Sequence, residues 1–121
     1  MDKKFKDEVE RLEPDVHQFL SVEFVWKDGS HAADRFWFVP CNRLDSVDRN
    51  ETTFEFRNIW YLDGSQDKKL VFNSSQIGNC HAWMDKFISG QGGVWISDVL
   101  KEKIEQAGVT GISLQHYEET N

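Results

Sequence analysis

Four histidines and two cysteines are the residues of this sequence best suited to bind a transition metal. They are His17, His31, His81, His116, Cys41 and Cys80. Zinc sites need three or four converging ligands, and their sequence signatures place these ligands in closely spaced pairs. Only Cys80 and His81 are adjacent, and neighbouring side chains on a strand point to opposite faces. The spacing therefore predicts no metal site.

Nucleophiles and phosphate-binding loops give no stronger signal. No serine or cysteine lies in a glycine-flanked nucleophile elbow or beside an assigned base. The GQGG stretch at 90–93 precedes a predicted strand and lacks the lysine of a P-loop, so we expect a loop there. Asp45, Asp48 and Glu51 lack the central glycine and terminal glutamate of a calcium-binding EF-hand loop. We therefore predict no cofactor, and these stretches show no recognisable catalytic motif.

An acidic segment with two aromatic residues is the remaining candidate for function. Residues 44–67 contain six acidic residues and two arginines. Trp60 and Tyr61 are neighbours and would point to opposite faces of a strand, so one ring could be exposed. Exposed aromatic rings with a charged rim are typical of protein interfaces, whereas burial under loops is the alternative for either ring. The predicted partner-binding residues are Asp45, Asp48, Glu51, Glu55, Trp60, Tyr61, Asp63 and Asp67.

Hydrophobic periodicity predicts the first elements that position this segment. Phe5, Val9 and Leu12 recur at helical spacing, which predicts a short helix over 3–12 that ends before Pro14. Alternating apolar residues at 22–26, the turn KDGS and a second apolar run at 35–39 predict a β-hairpin.

The middle of the chain is less regular. We expect strands at 58–62 and 69–72 to form a second hairpin around the turn-rich DGSQDKK. The SSQIGNC stretch at 74–80 is expected to be a loop. Residues 81–87 are compatible with either a strand or a helical turn.

The C-terminal region has the signals of a strand–helix–strand unit. A strand at 94–96 precedes Ser97, a good helix N-cap, and Asp98 complements the positive end of the helix dipole. Gly108 supplies the left-handed residue that ends the helix, and alternation at 112–116 predicts a final strand. The expected fold class is α+β, with a mostly antiparallel or mixed β-sheet, a short N-terminal helix and this C-terminal unit.

Length and charge restrict the partners. The 121 residues fit one domain, 1–121, and nine phenylalanines and five tryptophans can supply its core. With 14 basic and 21 acidic residues, the formal charge of −7 opposes direct binding to nucleic acid. The same charge accelerates encounter with a basic protein.

The chain shows no signal for a membrane or for export. It has no apolar run of 18 residues, and its first 14 residues are charged where a signal peptide is apolar. We therefore expect a cytoplasmic protein in which Cys41 and Cys80 are reduced thiols rather than a disulfide.

Four blocks of the sequence resemble successive blocks of bacterial immunity protein family eleven from polymorphic-toxin systems. The blocks are LEPDVHQFLSVEFVWKDGS (12–30), FWFVPCNRLDSVD (36–48), KLVFNSSQIGNCHAW (69–83) and VWISDVLKEKIEQAGVTGISL (94–114). The most distinctive parts are EPDVHQF, NRLDSVD and the strand-Ser-Asp-helix-Ala-Gly-x-Thr-Gly ending. The order and spacing of the blocks strengthen the resemblance.

The resemblance implies a cytoplasmic antidote, encoded with a toxin, that binds the toxin and blocks its active site or substrate entry. It implies no enzymatic activity. We favour a nuclease as the toxin, because an acidic surface can occupy the basic groove that takes nucleic acid. The alternatives are a small-ligand-binding or adaptor module with tryptophans around an apolar pocket, and, less favoured, an enzyme. Exposed aromatic residues also leave a homodimer open.

Overall fold

The structure is a computed structural model that describes residues 1–88 and 93–120. Over these ranges the elements are α1 (Lys3–Leu12), β1 (Gln18–Val25), β2 (His31–Val39), β3 (Arg43–Leu44), β4 (Glu55–Arg57), β5 (Ile59–Tyr61), β6 (Val71–Asn73), α2 (Ser74–Ile77), β7 (Ala82–Asp85), β8 (Trp95–Ile96), α3 (Asp98–Gln106) and β9 (Glu118–Thr120). They confirm the α+β class. No helix in the described part of the chain has the length and apolar character that a bilayer crossing requires.

The strand β7 lies at the centre of the molecule. It pairs in parallel with β3 and antiparallel with β8, which makes a three-stranded mixed sheet. Successive residues Ala82 and Trp83 point to opposite faces of this strand and are both buried. The region that was compatible with a strand or a helical turn is therefore a strand, and its two faces separate two hydrophobic cores.

Each face of β7 has its own core. The first core contains Phe5, Val9, Ala82, Leu100 and Ile104, and so joins α1, α3 and the sheet. The second core contains Val47, Trp60, Leu70, Phe72, Ile77 and Trp83. A buried polar group supports the second core, because Asp85 accepts hydrogen bonds from both the backbone and the hydroxyl of Ser46, at 2.9 and 2.8 Å.

The N-terminal helix α1 has the predicted bounds. Asp2 caps it by accepting a hydrogen bond from the backbone of Phe5 at 3.0 Å. At its other end, the buried carboxylate of Glu13 accepts hydrogen bonds from the backbone of Ala82 at 2.9 Å and from Asn42 at 2.8 Å. His17 also donates to Glu13 at 2.8 Å, since the other ring nitrogen accepts from the backbone of Cys41. This network fixes the end of α1 to β7.

The helix α3 has the predicted caps. The hydroxyl of Ser97 accepts a hydrogen bond from the backbone of Leu100 at 3.1 Å, which confirms Ser97 as the N-cap. Gly108 has φ = 77°, in the left-handed region, and the next residue, Val109, donates to the carbonyl of Ile104 at 3.1 Å. This is the predicted helix end.

The first hairpin is confirmed and is longer than predicted. β1 and β2 pair antiparallel from Gln18↔Val39 to Val25↔His31, with an irregularity after Phe24. One face of the hairpin packs on α1. There Phe19 and Phe38 stack with ring centroids 5.1 Å apart, and Phe5 meets Phe38 edge-on at 5.2 Å.

The predicted second hairpin is wrong. β5 pairs with β4, whereas β6 pairs in parallel with β9. The other edge of β6 is occupied by the segment 46–53. Its Thr52 hydroxyl exchanges two hydrogen bonds with the backbone of Val71, and Asp48 donates from its backbone to the same carbonyl. Residues 69–73 therefore have no free edge for β5.

Two other local predictions need correction. The stretch expected to be a loop contains α2, because the side chain of Asn73 caps the backbones of Ser75 and Gln76 at 3.0 and 3.2 Å. The alternating stretch 112–116 is not a strand. Ile112 packs on the first core and Tyr117 on the second, so the chain crosses between cores before β9 begins.

The C-terminal strand–helix–strand order is present as β8, α3 and β9, but its two strands lie in different sheets. The GQGG stretch lies outside the described residues except for Gly93. Cys41 and Cys80 are free thiols, as predicted.

Replacement of Gly108 by valine should destabilise the protein through its backbone. A Cβ at this position meets only the distal Nζ of Lys4 at 3.8 Å, so the penalty comes from the positive φ and not from crowding. We expect Gly108→Val to lower the free energy of unfolding by about 1–2 kcal/mol in urea denaturation. Gly108→Asn is the control, since asparagine adopts left-handed conformations more readily. Equal losses in the two variants would contradict this explanation.

Candidate partner-binding surfaces

The structure divides the predicted acidic segment between surface and interior. Glu51, Glu55, Tyr61, Asp63 and Asp67 are exposed, Asp45 is half-buried, and Asp48 and Trp60 are buried. Five of the eight predicted contacts are therefore freely available to a partner. The other three have surroundings that explain their burial.

Asp48 is a structural residue. Its side chain is buried, and one carboxylate oxygen accepts hydrogen bonds from the backbones of Asn50 and Glu51, both at 2.9 Å. The other oxygen accepts from the hydroxyl of Thr120 at 2.7 Å and from the amide of Asn73 at 3.1 Å. These hydrogen bonds, that from Thr120 above all, lower the pKa of Asp48 to about 2. Asp48 thus fixes β9 to β6 and presents no free oxygen outward.

Trp60 and Tyr61 point to opposite sides, as the alternation predicted. Trp60 is 4% exposed and packs on Phe56 at a centroid distance of 4.9 Å, whereas Tyr61 is 49% exposed. The guanidinium of Arg49 lies 4.0 Å from the Phe56 ring centroid and 5.2 Å from that of Phe87. Tyr61 is therefore the aromatic ring of this pair that a partner can contact.

Basic residues neutralise part of the acidic segment. Asp45 pairs with Arg49 at 3.1 Å and Glu55 with Arg57 at 2.7 Å. Asp63 pairs with Lys68 at 3.4 Å, beyond the end of the segment. In the described part of the chain, Glu51 and Asp67 are the exposed acids of this segment without an ion pair. The local negative field is consequently weaker than the count of acidic residues indicates.

The first hairpin carries an apolar surface that the sequence interpretation missed. Leu20, Val22, Phe24, Arg35 and Trp37 point away from α1, and we call them the outer hairpin face. The exposed fractions are 49% for Leu20, 51% for Phe24 and 64% for Trp37. Trp26, in the turn, is 66% exposed. The alternation in β1 was visible in the sequence, but it does not tell which face is covered.

A cleft of about 1120 Å³ lies between the start of α3 and the segment 113–117. Trp95 and Tyr117 line it together with Cys80, His81 and His116. The hydroxyl of Ser97 lies 2.7 Å from a ring nitrogen of His81, but the same hydroxyl caps α3. Burial raises the pKa of the Cys80 thiol, which disfavours its reactive thiolate. Among the described residues, the cleft therefore offers aromatic side chains that a ligand could contact, but no activated nucleophile.

Among the described residues, three exposed side chains near the end of the first hairpin are close enough together to share a metal ion. They are Glu23, His31 and Asp34. The two ring nitrogens of His31 face Glu23 at 2.8 Å and Asp34 at 3.9 Å. The hydrogen bond to Glu23 raises the pKa of His31. Each carboxylate faces a different nitrogen of the ring, so the group is best described as a surface ion-pair cluster.

Comparison with known proteins gave one family. The sequence model of the Immunity protein family (Imm11) matches residues 1–119. No curated protein and no solved structure matches the chain.

Neutralising Asp48 should destabilise the protein in a pH-dependent way. The pKa of Asp48 lies below its ordinary value of 3.8, so the ionised group stabilises the fold above that pH. This contribution is lost as the pH falls from 3.8 to about 2. We expect Asp48→Asn to lower the urea midpoint at pH 7, and the difference from wild type to narrow as the pH falls below 3.8.

Asp67→Asn is the matched control for this comparison. Asp67 is exposed, so the same change of charge should leave the urea midpoint almost unchanged at every pH. A difference between Asp48→Asn and wild type that stays constant with pH would contradict the role of the ionised carboxylate.

Proposed function

Because the chain belongs to the Imm11 immunity protein family, we propose that it neutralises a cognate toxin protein by binding it and covering the groove that takes the toxin's substrate. The observation that carries this proposal is the family match over residues 1–119. Inhibition by occlusion needs a complementary surface and no reactive side chain. Three residues of types common in active sites support this mechanism, because each makes a structural hydrogen bond within the fold. Asp48 binds Thr120, His17 binds Glu13, and Ser97 caps α3 at Leu100.

The toxin that we propose is a nuclease acting in the cytoplasm, where the two proteins would meet. The formal charge of −7 favours a basic partner, and a groove that takes nucleic acid is basic. Glu51, Asp63 and Asp67 are exposed in the same segment, 44–67, as the exposed ring of Tyr61, so this segment carries both negative charge and an aromatic side chain. These residues are the proposed counterpart of the basic groove.

Charge acts before contact is made. At physiological ionic strength, electrostatic attraction extends over about 8 Å, so exposed carboxylates steer a basic partner even when they lie outside the final interface. Losing them should lower the association rate and reduce its dependence on salt.

A small-ligand-binding module is the second candidate, and the cleft beside α3 favours it. Trp95 and Tyr117 give this cleft aromatic walls on which a planar metabolite could stack. Quenching of tryptophan fluorescence by a metabolite, lost in Trp95→Leu, would support this alternative.

The role of the acids can be tested by measuring association with the toxin domain encoded beside this chain, inactivated by mutation. We expect the triple variant Glu51→Gln, Asp63→Asn, Asp67→Asn to associate roughly fivefold more slowly than wild type at low salt, with a smaller loss at high salt. The control is the triple variant Asp15→Asn, Glu102→Gln, Glu105→Gln, which changes net charge equally at exposed positions elsewhere. Equal slowing in both triple variants would contradict a local role for the 44–67 segment.

A further inference from the structure

The outer hairpin face is largely apolar, and in the described part of the chain its Leu20, Phe24 and Trp37 side chains are about half exposed or more. Leu20 lies directly opposite Trp37 across the two strands, and Phe24 lies opposite Ala33. Between these pairs, Val22 lies opposite Arg35. Such a surface places large apolar side chains, about half exposed or more, side by side on two paired strands. Surfaces of this kind are typical of protein-binding sites.

The polarity of the hairpin is reversed in its distal half. The inner face is aromatic where α1 covers it, with Phe19, Phe36 and Phe38. Farther along, the same face carries Glu23 opposite Asp34, while the outer face stays apolar. The apolar pattern of the outer face is therefore not explained by the first core, which Phe19 and Phe38 contact from the inner face.

The half of the hairpin that carries Leu20 and Trp37 is packed on α1. The Phe19–Phe38 stack, the edge contact of Phe38 with Phe5, and the amine of Lys6 at 5.6 Å from the Phe19 ring fix the inner face to α1. A surface that is ordered before binding loses little conformational entropy in the complex. Trp37 and its neighbours thus have the properties of an interface anchor.

The charges indicate which partner would cover this face. Arg35 is the one charged residue among the eight outward positions of the two strands, all of which the structure describes. A second copy contacting through this face would bring two Arg35 side chains into one apolar patch and two chains of charge −7 together. A basic toxin has the opposite net charge, so it is attracted to this chain. Its contact surface can also offer a hydrogen-bond acceptor to Arg35.

We propose that the outer hairpin face anchors the cognate toxin, by docking on an apolar protein surface that carries a carboxylate or carbonyl acceptor for Arg35. This proposal rests on the proposed function and deepens it, since it assigns the contact that holds the complex. The acidic segment then governs how fast the complex forms, and the hairpin governs how long it lasts.

The test is the dissociation rate from the inactivated toxin domain encoded beside this chain. We expect Trp37→Ser to weaken binding by roughly thirtyfold or more, mainly through faster dissociation, with an unchanged salt dependence of association. Leu20→Ser should act in the same direction, so the test does not depend on one variant. Both residues are about half or more exposed, and urea midpoints close to that of wild type should verify folding.

Leu114→Ser is the matched control, because Leu114 is 42% exposed and lines the cleft instead. Weaker binding in Leu114→Ser with no change in the hairpin variants would overturn the proposal in favour of the cleft. A wild-type dimer in analytical ultracentrifugation that Trp37→Ser dissociates would overturn it in favour of a second copy. Wild-type chain that fails to bind the toxin domain would refute the proposed function itself, whereas unchanged binding by Trp37→Ser and Leu20→Ser would refute the hairpin proposal alone.

Discussion

The fold depends on the opposite orientation of two successive side chains in β7. Ala82 is small and fully buried against α1 and α3, while Trp83 fills the aromatic core on the other face. Hydrogen bonds fix this strand on both sides, since the backbone of Ala82 donates to Glu13 and the carbonyl of His81 accepts from the backbone of Ser97. A strand of four residues can organise both cores because its side chains alternate and its backbone groups are paired.

Several residues that could do chemistry are used to hold these cores together. Glu13 and His17 fix the end of α1, Asp85 binds Ser46, and Asp48 binds Thr120 across 72 positions of sequence. Interaction is left to side chains that the cores do not use. Under the proposed function these are the exposed acids Glu51, Asp63 and Asp67, which would act at a distance through charge, and the outer hairpin face, which would act on contact by excluding water.

Local signals predicted local structure well. The spacing of Phe5 and Val9 predicted α1, and Ser97 with Gly108 predicted both ends of α3, because helix periodicity and caps depend on neighbours in sequence. The pairing of β6 could not be predicted in this way, since it depends on Thr52 and on β9. At the candidate site, alternation correctly separated Trp60 from Tyr61 and could not show that Asp48 is buried. It also gave the two faces of the first hairpin without telling which one α1 covers.

Under the proposed function, the chain inhibits the toxin by covering it and catalyses no reaction. The most direct test titrates the chain into a fixed amount of active toxin, above the dissociation constant, and follows toxin activity and the masses of both proteins. Inhibition by occlusion predicts a linear fall in toxin activity that reaches zero at one molecule of the chain per molecule of toxin, with both masses unchanged. Complete loss of activity at a small fraction of an equivalent, or a covalent change in the toxin, would contradict it.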